Sequence, residues 1–156
     1  MNHEALHKLS YGLFILTTNY DGRDNGCIID TAIQSSSDPI TISLTVDKKS
    51  LTCEMLQKSE KCTISIIGKD ADAELFRHWG YQSGRQVDKL KNYPFTQRTP
   101  NGTLAITNGT NAYLSINITT QLDLGSHILF IGTPIDTQLL TDTPSMTYIN
   151  YTETLK

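Results

Sequence analysis

The sequence predicts a mainly β protein with short helices, built as an antiparallel barrel. Runs of β-branched residues recur between turn residues along most of the 156 residues, which is typical of short paired strands. Asp-Gly and Asn-Gly pairs stand between neighbouring runs, as they do in hairpins. Apolar residues recur at helical spacing in only a few short segments. Seven or so strands with so few helices indicate a closed or nearly closed antiparallel barrel.

The predicted elements mix strands and short helices in the first half of the chain and are strands in the second half. A helix over 71–79 follows from Ala71, Leu75, Phe76 and Trp79, which recur at helical spacing. The other elements are helices over 4–9 and 51–58 and strands over 12–18, 27–33, 40–46, 61–67, 103–106, 112–122 and 127–137.

The connections are predicted from glycine, asparagine and proline. The Asp-Gly and Asn-Gly pairs within residues 19–26 predict that the first two strands form a hairpin. Residues 80–86 are polar and contain glycine, so we expect a loop there, with a helical turn over 87–90. Residues 92–101 contain two prolines and are the expected irregular connection.

Composition limits the possible classes of protein. A length of 156 residues fits one domain, 1–156, and the net charge of −3 offers no basic surface for nucleic acid. No apolar run is long enough to span a bilayer, and the first ten residues lack a secretory pattern, so we expect a cytoplasmic protein that does not enter membranes. Three cysteines without a CxxC pair argue against a disulfide framework or a zinc site, and we expect no metal and free thiols.

A possible anion site lies at the start of the predicted helix 51–58. Lys48, Lys49, Ser50 and Thr52 place two ammonium groups and two hydroxyl groups beside free backbone N–H groups and the positive end of the helix dipole. The alternative is that Ser50 only caps the helix and the lysines form a solvated turn. The pattern alone leaves both interpretations open.

Three motifs in collinear order carry a family resemblance. Residues 25–34 with Lys48-Lys49-Ser50-Leu51-Thr52 form the first, Ser83-Gly84-Arg85-Gln86-Val87-Asp88-Lys89 the second, and residues 123–132, with the pattern G-x-H-x-L-F-I-G, the third. Together they resemble the flavin reductase-like family of FMN-binding split barrels, which includes flavoredoxins and the flavin domains found beside rubredoxins. The resemblance extends from about residue 8 to residue 148.

The resemblance implies an FMN site in which the flavin carries the chemistry and no side chain is catalytic. It assigns phosphate binding to Thr52 and places residues 25–34 against the flavin ring, with Thr31 beside it. Lys89 and His127 would divide between the phosphate or ribityl end and the ring. The implied cofactor-binding residues are Asn25, Cys27, Asp30, Thr31, Ala32, Gln34, Lys48, Ser50, Leu51, Thr52, Ser83, Gly84, Arg85, Lys89 and His127.

Each of the more distinctive residues also has a plain structural interpretation. Asn25 could be a hairpin residue, Lys89 a solvated charge and His127 a strand residue. Arg85 could pair with Asp88. Cys27 lacks a neighbouring base in the sequence, so packing is the better interpretation of its thiol. Two C-terminal tyrosines could cover a flavin or lie at the barrel edge, and a lid role for them is doubtful: Tyr148 and Tyr151.

The resemblance implies an NAD(P)H-dependent FMN oxidoreductase that passes hydride from NAD(P)H to FMN and electrons on to an acceptor. No G-x-G-x-x-G motif follows a predicted strand, so NAD(P)H would be a transient co-substrate stacked on the flavin. The alternative is a flavoredoxin-like electron carrier, reduced by a rubredoxin-like partner. A small barrel that binds single-stranded nucleic acid would need a basic groove, which the charge does not supply.

The resemblance also implies a homodimer with the flavin near the subunit boundary. We expect the loop 79–85 to lie at this boundary, because Leu75, Phe76 and Trp79 in the preceding helix need an apolar partner. The alternative is that these three side chains pack only on their own barrel.

Overall fold

The computed structural model describes every residue from Met1 to Lys156. A 3₁₀ turn, His3–Lys8, opens the chain. The strands are β1 (Phe14–Tyr20), β2 (Arg23–Ile29), β3 (Ala32–Ser37), β4 (Ile40–Asp47), β5 (Lys61–Ile67), β6 (Thr96–Arg98), β7 (Leu104–Ile106), β8 (Thr110–Asp123) and β9 (His127–Leu139). The helices are α1 (Leu51–Ser59), α2 (Ala73–Gly80) and α3 (Tyr148–Thr154), and none is long and apolar enough to cross a membrane.

Seven strands form one antiparallel sheet in the order β2-β1-β5-β8-β9-β4-β3. The two edge strands, β2 and β3, are consecutive in the chain and are joined only by Asp30 and Thr31. The sheet does not pair across this gap, so the barrel is split. The predicted antiparallel split barrel with short helices is therefore confirmed, and its split lies between β2 and β3.

The interior of the barrel is one apolar cluster to which β1, β2, β4, β5, β8 and β9 all contribute. Helix α1 adds Cys53 and Leu56 to this cluster, and both are fully buried. Because α1 follows β4 directly and packs into the barrel, its first turn lies against β2. The interior packing thus fixes where the start of α1 meets the sheet edge.

Helix α2 packs on the outside of the barrel in a second apolar cluster. Leu75, Phe76 and Trp79 are all buried there, against residues such as Ile15 and Tyr151 of the same chain. The expectation that these side chains need a second subunit is therefore wrong: they pack on their own barrel. Trp79 is fully buried.

Four local predictions differ from the structure. The predicted strand 27–33 is interrupted at Asp30, because the chain leaves β2 there and crosses the split to begin β3. The hairpin turn lies at Asp21 and Gly22, both with positive φ, so the Asn25-Gly26 pair is part of β2. Residues 87–90 form a bend and a turn in place of the predicted helical turn. The irregular connection 92–101 contains β6, which pairs with β7.

Candidate functional site

A cavity of about 260 Å³ lies beside the barrel split, between β2, the start of α1 and the loop 80–89. We call it the inner compartment. Its lining includes eight of the residues predicted from the sequence: Asn25, Cys27, Ser50, Leu51, Thr52, Ser83, Gly84 and Lys89. Three separate segments of the chain therefore meet in one cavity.

Two buried polar side chains join β2 to α1 in this compartment. The amide Nδ2 of Asn25 donates a hydrogen bond to Oγ1 of Thr52 over 2.8 Å. Because Oγ1 accepts this bond, the Thr52 hydroxyl keeps its own hydrogen, which it can donate to the nearby Cys27 sulfur or to a ligand. Asn25 is thus a buried partner of Thr52, and the interpretation of Asn25 as a hairpin residue is wrong.

Gly84 lies directly against Asn25. A Cβ atom at position 84 would collide with the side-chain amide of Asn25, so only glycine allows this approach. The Gly84 carbonyl accepts a hydrogen bond of 2.7 Å from Arg23, which holds the loop on β2. The Ser-Gly-Arg segment of the sequence is therefore a close backbone contact with the Asn25–Thr52 pair.

The start of α1 supplies backbone donors. Ser50 caps the helix, because its Oγ accepts from the Cys53 N–H at 3.1 Å and donates to the Asp47 carbonyl at 2.9 Å. The N–H groups of Leu51 and Thr52 have no acceptor in the protein. Ser50 therefore has the capping role that the sequence left open, and the two free amides of this turn are available to an anionic ligand.

Lys89 is the buried cation of the inner compartment. The residue is only 3% exposed. Its Nζ donates hydrogen bonds to the carbonyl of Gly26 at 2.8 Å and to that of Trp79 at 3.0 Å. Burial lowers the pKa of Lys89 below its ordinary value. No carboxylate pairs with this ammonium group. The interpretation of Lys89 as a solvated charge is wrong.

The other cations divide between free and paired. Lys48 pairs with Asp123 over 2.5 Å and lies outside the inner compartment, whereas Lys49 lines it and has no carboxylate partner. Arg85 is also outside the cavity lining and pairs with Glu54 over 2.8 Å. Arg85 thus pairs with α1 and not with Asp88, which was the alternative considered for it. Of the two neighbouring lysines, Lys49 and not Lys48 lines the cavity.

Cys27 lies between Thr52 and Lys89. Burial raises the pKa of its thiol, and this outweighs the hydrogen bond with Thr52 and the charge of Lys89, which lower it. Burial also raises the pKa of Cys53 to about 11 and that of Cys62 to about 12. All three cysteines are free, as expected. The Cys27 thiol therefore stays neutral near pH 7.

A second cavity of about 380 Å³, the outer compartment, shares Ile28, Asp47 and Gly80 with the inner one. Its lining holds Asp30 and His127, two of the predicted residues. Ser126 Oγ lies 2.7 Å from His127 Nδ1, which leaves Nε2 available to a ligand. Four aromatic side chains, which come largely from α2 and α3, also line it: Phe76, Tyr81, Tyr148 and Tyr151.

Besides Lys48 and Arg85, three predicted residues lie outside both compartments. Thr31 is in the crossing between β2 and β3, where its hydroxyl donates to Asp30 at 3.0 Å. Ala32 and Gln34 belong to β3 and line a separate apolar groove of about 290 Å³. These three residues lie elsewhere because the chain crosses from β2 to β3 at Asp30 and so leaves the inner compartment.

Several lining residues were not among the predicted cofactor-binding residues, although covering a flavin was one of the two roles considered for Tyr148 and Tyr151. Trp79 and Gly80 form part of the inner compartment, but their helical spacing indicated only a core helix. Tyr81, Tyr148 and Tyr151 come together only because α3 packs on α2, and α3 itself was not predicted. The neighbouring Lys-Lys pair indicated a cation at the helix start, though not which lysine faces the cavity.

Residues 6–155 match the family model described as the flavin reductase like domain. The chain is 35% identical over 153 residues to the high molecular weight rubredoxin of Moorella thermoacetica, covering 97% of this chain and 66% of that protein. It is 28% identical over 152 residues to the ferric-chelate reductase (NAD(P)H) of Archaeoglobus fulgidus, covering 97% of this chain and 89% of that protein.

Solved structures share the fold. An FMN-binding protein from Thermus thermophilus with bound p-hydroxybenzaldehyde has a TM-score of 0.80 at 22% identity, covering 91% of this chain and 83% of that chain. The flavin reductase PheA2 in its native state has a TM-score of 0.79 at 21% identity, covering 96% and 95%. At these identities the likeness concerns the fold.

Proposed function

Because the chain belongs to the flavin reductase-like family, we propose that it binds FMN in the inner compartment and acts as an NAD(P)H-dependent flavin oxidoreductase. The observation that carries the proposal is the buried Lys89 ammonium, which faces the cavity without a carboxylate partner. A buried charge of this kind is costly unless an opposite charge is bound, and a phosphate supplies one.

The donors of the inner compartment fit a phosphate. The free N–H groups of Leu51 and Thr52 and the Thr52 hydroxyl lie at the positive end of the α1 dipole. Lys89 and Lys49 add two cations. One carboxylate, Asp47, also lines the compartment, but its Oδ1 already accepts from the Lys49 N–H at 2.8 Å. The balance of donors over acceptors favours an anion.

The residues beyond the phosphate end fit an aromatic ring. Ile28, Trp79 and Gly80 continue the inner compartment into the outer one and give an apolar path between them. Bound FMN would supply the redox chemistry, accepting hydride from a reduced nicotinamide and passing electrons to an acceptor. The chain itself would bind and orient the cofactor, and Lys89 would supply a positive charge in the inner compartment.

The alternative function is an electron carrier that a protein partner reduces. One observation favours it: the relative from Moorella thermoacetica is named a rubredoxin, and this chain spans only 66% of its length. Anaerobic addition of NADH or NADPH to the FMN-loaded protein distinguishes the two. Rapid bleaching of the flavin supports the reductase, whereas bleaching only with reduced rubredoxin supports the carrier.

The phosphate assignment is tested by calorimetry with FMN and riboflavin. We expect FMN to bind much more tightly, because riboflavin lacks the group that the inner compartment receives. Thr52→Ala should lower the affinity for FMN by about 1–3 kcal/mol and leave the affinity for riboflavin nearly unchanged. Equal affinities for the two flavins in the native protein would contradict the proposal.

We also propose that the chain forms a homodimer, through a face different from that expected at first. Ile33 is 67% exposed and Ile40 is 49% exposed, and both line the apolar groove beside the edge strand β3. An exposed edge strand with apolar side chains is a surface that proteins usually cover. A second copy of the chain would cover it twice by symmetry.

A further inference from the structure

Three Asn-Gly pairs occur in the chain: Asn25-Gly26, Asn101-Gly102 and Asn108-Gly109. This dipeptide is chemically labile, because the glycine nitrogen is not shielded by a side chain and can attack the side-chain carbonyl carbon of the asparagine. The attack needs an asparagine side chain that can rotate and a glycine N–H that makes no hydrogen bond. The structure separates the three pairs on both conditions.

The first pair, Asn25-Gly26, is held in place. The amide of Asn25 is buried and donates to Thr52, and Gly84 packs directly against it. Gly26 is paired with Thr17 in the ladder between β1 and β2. The Asn25 side chain cannot turn towards Gly26 without leaving these contacts, so we expect this pair to be inert in the folded protein.

The second pair, Asn101-Gly102, lies in the turn between β6 and β7 and is also held. Nδ2 of Asn101 donates to the Ile116 carbonyl at 3.1 Å, and its Oδ1 accepts from the Thr103 N–H at 3.2 Å. The N–H of Gly102 donates to the Thr99 carbonyl at 2.9 Å. Both groups that would have to react are therefore engaged in hydrogen bonds.

The third pair, Asn108-Gly109, meets both conditions. It lies in the connection between β7 and β8, where Asn108 is exposed and its amide has only a side-chain contact, with the hydroxyl of Tyr93. The N–H of Gly109 has no acceptor in the protein, although the Gly109 carbonyl accepts from the Gly68 N–H at 2.9 Å. The attacking nitrogen is thus free, and the chain on its far side is fixed.

We propose that Asn108 is a site of spontaneous deamidation in the folded protein, and that Asn25 and Asn101 are not. The Gly109 nitrogen forms a bond to Cγ of Asn108, the Cγ–Nδ2 bond breaks, and Nδ2 leaves as ammonia with the proton from Gly109. Water then opens the succinimide ring at either of its carbonyl carbons, which gives aspartate or isoaspartate. The reaction consumes only water and transfers no electrons.

The isoaspartate product changes how this connection packs on α2. Gly109 lies so close to α2 that a Cβ atom on it would be 3.3 Å from the Leu75 side chain. Isoaspartate adds a carbon atom to the backbone immediately before Gly109, which shifts Gly109 against Leu75 and strains its hydrogen bond with Gly68. Aspartate adds a charge at an exposed position without lengthening the backbone. Isoaspartate should therefore destabilise the fold more than Asn108→Asp does.

The test is peptide mapping by tandem mass spectrometry on the full chain after ageing in mildly alkaline buffer. Residues 99–156 contain no Lys or Arg before position 156, so Asn101 and Asn108 lie on the same tryptic peptide and are compared directly. Water enriched in heavy oxygen marks the molecules that react during ageing. A sample denatured in guanidinium chloride is aged in parallel. Asn108→Gln is the control variant, because its longer side chain forms the ring far more slowly.

In the folded protein we expect Asn108 to react about tenfold faster, or more, than Asn25 or Asn101. In the denatured chain the three sites should react at similar rates, because no structure holds Asn25 and Asn101 there. Equal rates at Asn101 and Asn108 in the folded protein would overturn the inference. So would an unmodified Asn108 after a period in which the denatured chain has reacted.

Urea denaturation of the aged samples tests the structural consequence. Aged native protein should unfold at a lower urea concentration than aged Asn108→Gln or Asn108→Asp, in proportion to the isoaspartate that has formed. Unchanged stability in samples rich in isoaspartate would contradict the expected displacement of Gly109. Neither measurement uses FMN, so both outcomes are independent of the proposed function.

Discussion

The side-chain amide of Asn25 on β2 donates a 2.8 Å hydrogen bond to the hydroxyl of Thr52 on α1, and both residues are buried. This bond joins the edge strand at the barrel split to the helix turn that supplies the free amides. The Asn25 side chain is also in contact with Gly84. The strand β2, the start of α1 and the loop that contains Gly84 therefore all depend on the Asn25–Thr52 pair. The stability of the fold and the binding of an anion should therefore be linked here.

A double-mutant cycle with Asn25→Ala and Thr52→Ala should show coupling of about 1 kcal/mol in the free energy of unfolding, because either single change leaves one buried polar group without its partner. Urea denaturation of the four proteins measures it. A cycle on Asn111 and Ser145, whose side chains share a hydrogen bond of 2.9 Å and do not line the inner compartment, serves as the comparison. Additive effects at Asn25 and Thr52 would show that the bond adds nothing.

Gly84→Ala should weaken FMN binding at least tenfold, since the added Cβ displaces Asn25 and with it the Thr52 hydroxyl. Fluorescence titration of FMN measures the loss. Ser83→Ala changes the same loop without a steric clash and should lower the affinity by only a small factor. Equal affinities for native protein and Gly84→Ala would mean that the loop can move away from β2 at no cost.

Affinity for FMN should fall as the pH rises towards 10.5, the ordinary lysine value, because burial lowers the pKa of Lys89 below that value and the ammonium is lost before it is reached. The phosphate stays fully ionised there, since its second pKa is about 6. In the free protein the sign is opposite: the unfolded chain holds this proton more tightly, so stability rises with pH over the same window.

The Lys89→Met variant provides the control for this pH dependence. It should bind FMN weakly and without the decline, and its free energy of unfolding should lack the rise. Calorimetric titrations at several pH values measure the first effect, and urea denaturation measures the second. If FMN affinity declined with pH equally in the native protein and in Lys89→Met, a group other than Lys89 would be losing the proton.

Lys49→Ala should reduce FMN affinity several-fold, and Lys48→Ala should reduce it less. Lys49 lines the inner compartment without a partner, whereas Lys48 pairs with Asp123 and lies outside it. Both side chains are exposed, so the Lys49 effect should shrink as salt is added. Titrations at low and high ionic strength make the comparison, and a larger loss in Lys48→Ala would contradict the placement.

Ile33→Asp should turn the proposed dimer into a monomer, because it places a charge in the apolar groove beside β3. Sedimentation at micromolar concentration measures the mass. Val87→Asp is the matched control, since Val87 is also exposed but lies in the loop after α2, away from this groove. If the native protein sediments as a monomer both with and without FMN, the proposed homodimer is contradicted.

Most of the fold could be predicted, because the spacing of apolar residues that is typical of a strand or a helix is visible within a short stretch of sequence. The strand Lys61–Ile67 was predicted with its observed bounds, and the helix Leu51–Ser59 differs by one residue at its end. The break at Asp30 could not be predicted, because β-branched residues continue on both sides of it. There the chain changes from one sheet edge to the other, which depends on the pairing of β3 with β4.

The sequence by itself determined the antiparallel split barrel, the family and the segments that meet at the inner compartment, because these follow from local periods and from motifs read in order. Only the tertiary structure decided which groups face the cavity. Lys89 is buried because Gly26 and Trp79, 63 and 10 residues away, present their carbonyls to it. The tyrosines of the outer compartment come together because α3 returns to α2. Side-chain direction and long-range packing set both, and neither leaves a periodic pattern in the chain.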